Sequence, residues 1–168
     1  QIEELGVLET PIALTNTFSV GALAQAQIRA TIAANPETGR SLSTVNPLIF
    51  ECNDGYLNDI QRLAIDEAHY RAACAAAGLE VAEGSVGAGR GMSSFGLKGG
   101  IGTASRRVTL PAQGEAKAAE YTVGALVLAN FGRLPQITLC GDALGPTLAE
   151  RLKTFEAAPP TLPDDVEK

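Results

Sequence analysis

Apolar positions along this chain fall into short blocks whose spacing changes from one block to the next. Pro11-Ile12-Ala13-Leu14-Thr15 is a compact apolar run that predicts a buried strand. Asn16, Thr17 and Ser19 follow it with side chains suited to helix capping. Val20, Leu23, Ala24, Ile28 and Ile32 then recur at helical spacing, which predicts a helix over about 20–34 with those residues on its buried face. Asn35-Pro36 ends it. Val45 to Glu51 reads as a second strand, and Asp66 is placed to cap a second helix over about 67–77, stopped by Gly78.

Residues 84–102 break the pattern, with eight glycines in nineteen positions. A phosphate-binding loop does not fit them. Gly91 and Gly96 have the first spacing of a P-loop, but Leu97-Lys98-Gly99 follows where Gly-Lys-Ser/Thr is needed. Gly87-Ala88-Gly89-Arg90-Gly91 is GxGxG, followed by strand-like sequence instead of the helix a dinucleotide loop requires. Tight bends and close backbone approach, at a sheet edge or beside a ligand, account for the glycines better. Alternation resumes from Gly102 to Leu110. Tyr121 to Ala129 is apolar enough to predict a strand buried on both faces. A small charged turn, 112–119, separates the two, and Gln136 to Cys140 predicts a last strand. Residues 1–156 are therefore expected to form one domain of mixed helices and strands. The tail 157–168, with three prolines and four charges in twelve residues, is expected to be extended.

Net charge is −6 with no basic block, which argues against nucleic acid and anionic membrane as partners. No apolar stretch approaches the ~20 residues of a membrane span. Cys52, Cys74 and Cys140 form no CxxC pair, and His69 is the only histidine. A histidine-based zinc site or a Ser-His-Asp triad within this chain alone is excluded, and the cysteines fix no compartment. The chain opens on Gln1 and is expected to be a piece of a longer product.

The densest polar cluster is E-C-N-D-G-Y-L-N-D, residues 51–59, directly after the apolar run Pro47-Leu48-Ile49-Phe50. Together with L-E-T-P-I-A-L-T-N-T (8–17), V-G-A-G-R-G-M-S-S-F-G-L-K-G-G-I-G-T-A-S-R (86–106) and V-G-A-L-V-L-A-N-F-G (123–132), in this order, it resembles the DmpA/BapA family of L-aminopeptidase/D-esterases and β-peptidyl aminopeptidases. The resemblance runs from about Leu8 to Gly145. Residues 110–119 look longer and more charged than the family pattern, and Gly141 to Gly145 match it loosely.

The resemblance implies an α+β fold: a four-layer α-β-β-α sandwich shared with a partner β chain and similar to ornithine acetyltransferase. It implies a precursor that cuts itself before a serine just beyond the tail. That new N-terminal serine, on the β chain, is the nucleophile, and αβ units assemble as a tetramer. An N-terminal serine carries its own base in the α-amine, so neither a histidine nor a cofactor or metal is required. On this chain the resemblance makes Asn130 the oxyanion donor and Glu51 the acceptor for the substrate's ammonium group. Without it, Asn130 reads as a turn cap and Glu51 as a carboxylate at a sheet edge. Tyr56 either donates its hydroxyl near the nucleophile, orients substrate, or is a half-buried ring beside Gly55. Asn16 faces the same site. Asn53, Asp54 and Asp59 are expected to hold the loop through local bonds to backbone, and His69 and Cys74 to be packing or surface residues. Two further readings are open: acyl transfer to an amine on the same fold, and a non-catalytic glycine-rich binding domain.

Overall fold

The structure is a computed structural model that describes residue 3, residues 6–112, residue 114 and residues 118–156. The expected tail over 157–168 lies outside the described residues. Helices and strands are mixed along the chain, as expected. They group into two compact units, one drawn from Gln1–Ser93 and Lys98–Asn130, the other from Ser94–Leu97 and Phe131–Lys168.

In the first unit, strand β1 (Ile12–Asn16), helix α1 (Val20–Ala34) and strand β2 (Leu48–Cys52) form a β-α-β crossover. The strands pair in parallel, from Ile12 opposite Leu48 to Asn16 opposite Cys52, a connection that needs the intervening helix. The Asn16 side chain accepts the Ser19 N–H at 3.1 Å and so caps the short 3-10 turn Thr17–Ser19 that leads into α1.

The face that α1 buries differs from the predicted one. Leu23 is buried as expected, but its buried companions are Ala26 and Gln27, while Ile32 is exposed. Gln27 explains the rotation. Its Nε2 donates to the Pro11 carbonyl at 2.7 Å and its Oε1 accepts the Leu48 N–H at 2.9 Å, so one buried amide ties the starts of both strands to the helix. Hydropathy alone places a glutamine outside; hydrogen-bonding both ends of it inside removes the penalty of burial.

Helix α2 (Glu67–Ala76) begins where Asp66 accepts the N–H groups of Ala68 and His69, as the sequence predicts. The contact with His69 chiefly holds the Asp66 carboxyl below the usual carboxylate range. Tyr70 packs with Leu23 and Ala26 into a small core flanked by Ala13, Ala30, Ile49 and Ile65. His69 and Cys74 lie exposed on this helix.

The glycine-rich segment contains a 3-10 turn at Gly87–Gly91, then β3 (Ser93–Ser94) and β4 (Leu97–Lys98) flanking Phe95-Gly96. Strands β5 (Gly100–Leu110) and β6 (Ala119–Ala129) form an antiparallel pair along their whole length, from Gly100 opposite Ala129 to Leu110 opposite Ala119. The expected burial of both faces of β6 is not met: Val123 is 62% and Val127 55% exposed. The run is apolar enough for a central strand, but among the described residues it pairs with β5 alone.

The second unit holds the hairpin β7 (Thr138–Leu139) and β8 (Asp142–Ala143), followed by helix α3 (Gly145–Glu156). The predicted strand to Cys140 is cut short because Cys140 and Gly141 form the turn, with φ of 52° and 94°. Helix α3 is not among the elements expected above, although Gly145-Pro146 followed by Leu148 and Leu152 carries a start signal and helical spacing.

Candidate functional site

Parallel strands offer a binding place beyond their C-terminal ends, where the chain leaves the sheet and side chains are free of the ladder. β1 and β2 end there on Asn16 and on Glu51-Cys52. Register sets Asn16 opposite Cys52 and Glu51 opposite Thr15, so these two candidate residues sit at neighbouring strand ends with their side chains on alternate faces. The Glu51 carboxylate is exposed, and its Oε2 accepts the hydroxyl of Thr17, which follows Asn16. Asn16 Nδ2 donates to Asp54 Oδ2 at 3.2 Å.

Asn130 follows the last residue of β6 and is joined to the same loop. Its Nδ2 donates to the Asn53 carbonyl at 3.0 Å, and its Oδ1 accepts the Ser93 N–H at 3.0 Å. A carbonyl can only accept and an N–H can only donate, so these two partners fix which way the amide faces. The second hydrogen on Nδ2 has no partner among the described residues. An oriented amide with one free N–H, on the end of a strand, is a group able to stabilise a developing oxyanion.

Tyr56 is not drawn into this framework. The residue is 80% exposed and its hydroxyl has no hydrogen-bond partner among the described residues, so the ring is not half-buried beside Gly55. Asn53 behaves as expected, its side chain accepting the Gly55 N–H at 2.9 Å. Asp54 does not. Its carboxylate binds other side chains instead of local backbone, accepting from Asn16 and from Asn58 Nδ2 at 2.9 Å. The Asp54 to Asn58 spacing of four was the signal available in the sequence.

Lys98, which follows the glycines where a P-loop lysine would be sought, is engaged elsewhere. Its ammonium donates to the carbonyls of Gly89 at 2.8 Å, Met92 at 3.2 Å and Gly99 at 2.6 Å. All three donors hold the turn that presents the Ser93 N–H to Asn130. Burial first, and the Glu51 charge second, push the Cys52 thiol up, so it stays protonated and is a poor nucleophile. Among the described residues no group of three or more His, Cys, Asp or Glu side chains could hold a metal ion, and no helix is long and apolar enough to cross a membrane. A cavity of about 890 Å³ in this unit is walled by Leu14, Leu23, Ile65 and Tyr70, with Asp54 and Arg90 also lining it. Of the four candidates it reaches only Asn16.

The family model for Peptidase family S58 matches residues 1–162. The chain belongs to this family. Two curated relatives are named beta-peptidyl aminopeptidase BapA, which bears out the resemblance read from the four ordered segments. The relative from Sphingosinicella microcystinivorans is 41% identical over 149 residues, 88% of this chain and 35% of that protein. The relative from Sphingosinicella xenopeptidilytica is 38% identical over 145 residues, 86% of this chain and 34% of that protein. Among solved structures, the PH0078 protein from Pyrococcus horikoshii OT3 is similar at a TM-score of 0.78 and 45% identity, and a Burkholderia sp. beta-aminopeptidase at 0.75 and 42%. Each match covers 89% of this chain and 40% of the solved chain. The S58 chain described here therefore spans about a third of the length of the curated relatives it matches.

Proposed function

We propose that this chain supplies the oxyanion donor and the substrate-amine acceptor of an aminopeptidase. That enzyme hydrolyses N-terminal residues of short peptides, amides or esters through an acyl-enzyme on the N-terminal serine of a partner chain cut from the same precursor. The observation that carries the reading is the fixed Asn130 amide with its free N–H, hydrogen-bonded to the loop that follows Glu51. In this mechanism the partner's α-amine takes the proton of its own serine hydroxyl as the oxygen attacks the substrate carbonyl. Asn130 Nδ2 donates to the oxyanion, and the proton passes to the leaving amine. Water then releases the acyl group. Glu51, steadied by the Thr17 hydroxyl, pairs with the substrate's free ammonium. The names of the relatives support a β-aminoacyl group as the preferred substrate.

The same reading makes this chain part of a four-layer α-β-β-α sandwich, with αβ units assembled as a tetramer. Register places Val108, Tyr121, Val123 and Val127 on one face of the β5–β6 pair, and that exposed apolar face supports a covering layer from the partner. The test is made on the intact protein as isolated. Release of p-nitroaniline from a β-alanyl p-nitroanilide, and N-terminal sequencing that finds a second chain led by serine, are expected. Absence of hydrolysis, or of any such chain, overturns the reading.

A further inference from the structure

Asp54 is buried, 6% exposed, at the start of the loop after β2. Its two oxygens have different surroundings. Oδ2 accepts two side-chain amides, from Asn16 at 3.2 Å and from Asn58 at 2.9 Å. Oδ1 is buried without a donor among the described residues. The Asp54 carbonyl accepts the N–H groups of Leu57 at 3.1 Å and Asn58 at 2.9 Å, so the loop turns around this residue. Gly91 closes over it: a Cβ there would lie 2.3 Å from Asn58 Nδ2 and 2.6 Å from Asp54 Cβ. A carboxylate kept in such a place, in no ion pair among the described residues, is unfavourable for stability. A loop that only had to turn needs no such group. What a carboxylate oxygen does better than a neutral acceptor is take two amide donors at once, each as a charge-assisted bond.

We propose that Asp54 is a positioning residue that acts through Asn16, holding that amide at the C-terminal end of β1 so that it faces the substrate. Asn16 is oriented from both ends, since its Oδ1 accepts the Ser19 N–H while its Nδ2 donates to Asp54. The inference rests on the aminopeptidase reading, in which Asn16 borders the bound substrate. Without Asp54 the Asn16 amide is free to turn, and a binding contact is lost in ground state and transition state alike.

The experiment is a double-mutant cycle on the intact protein, with Asp54→Asn, Asn16→Ala and their combination, assayed on β-alanyl p-nitroanilide. Asp54→Asn is expected to raise KM about 5- to 10-fold, the size of one net hydrogen bond, with kcat nearly unchanged. Asn16→Ala is expected to do the same, and the double variant to be no worse than the worse single one. A purely structural Asp54 would lower the yield of active enzyme and leave KM alone. That outcome, or KM effects that multiply, overturns the proposal. Should Asp54→Asn fail to fold, Asp54→Ser, whose side chain is too short to reach the Asn16 amide, takes its place in the cycle under the same criteria. If the wild type is active and the cycle multiplies, only the role of Asp54 falls. If the wild type hydrolyses no amide, the aminopeptidase reading falls and the role of Asp54 with it.

Discussion

The β1-α1-β2 crossover and the β5–β6 pair lie in the same unit and satisfy their residues in opposite ways. In the crossover, polar side chains are tied to one another and to the backbone. Gln27 joins both strand starts to the helix, Asn16 caps the turn and reaches Asp54, and Thr17 holds Glu51. The β5–β6 pair is in register along its whole length but leaves Val108, Tyr121, Val123 and Val127 exposed on one face. An apolar strand face left open in this way is the kind of surface a covering layer fits. The crossover fixes Asn16, Asp54 and Glu51 in place, whereas the strand pair leaves an apolar face without cover among the described residues.

Breaking the exposed face should have the largest effect. Val127→Asp puts a charge where a covering layer is proposed, and is expected to destabilise the intact protein by about 3 kcal/mol or prevent its assembly. Thr122→Asp, on the opposite face of the same strand, is expected to change stability by less than about 0.5 kcal/mol. Comparing soluble yield and thermal unfolding of the two variants checks this. Equal effects would mean that the two faces are not distinguished. The crossover is challenged by Gln27→Leu, which keeps the bulk and removes both hydrogen bonds, leaving the Pro11 carbonyl and Leu48 N–H without partners. A loss of about 2 kcal/mol is expected by chemical denaturation, with the denaturant slope unchanged. A neutral result would make the glutamine incidental.

Much of the first unit could be read from the sequence because its signals are local. Asp66 stands where a cap is needed and the helix starts there; the apolar run after Pro11 becomes β1 almost residue for residue. Partnership across the chain was less legible. Hydropathy could not assign Gln27 to the interior, since its burial depends on two backbone groups 16 and 21 residues away. Local pattern likewise makes Asp54 a turn residue, because its partner Asn16 lies 38 residues back. The burial expected of β6 failed because an apolar run states that cover is wanted, not that this stretch of chain provides it. At the site, family resemblance singled out Asn130, Glu51, Asn16 and Tyr56. Hydrogen bonds tie Asn16 and Asn130 to the loop after β2, Thr17 holds Glu51, and Tyr56 lies in solvent.

The central claim is that this chain contributes the oxyanion donor to chemistry whose nucleophile lies on a partner. The most direct measurement is steady-state kinetics of Asn130→Ala in the intact protein, beside the wild type, on β-alanyl p-nitroanilide. The account predicts a fall in kcat of about 100- to 1000-fold with a much smaller change in KM, since the lost bond belongs to the transition state. A kcat within a few-fold of wild type would contradict it and return Asn130 to a cap at the end of β6.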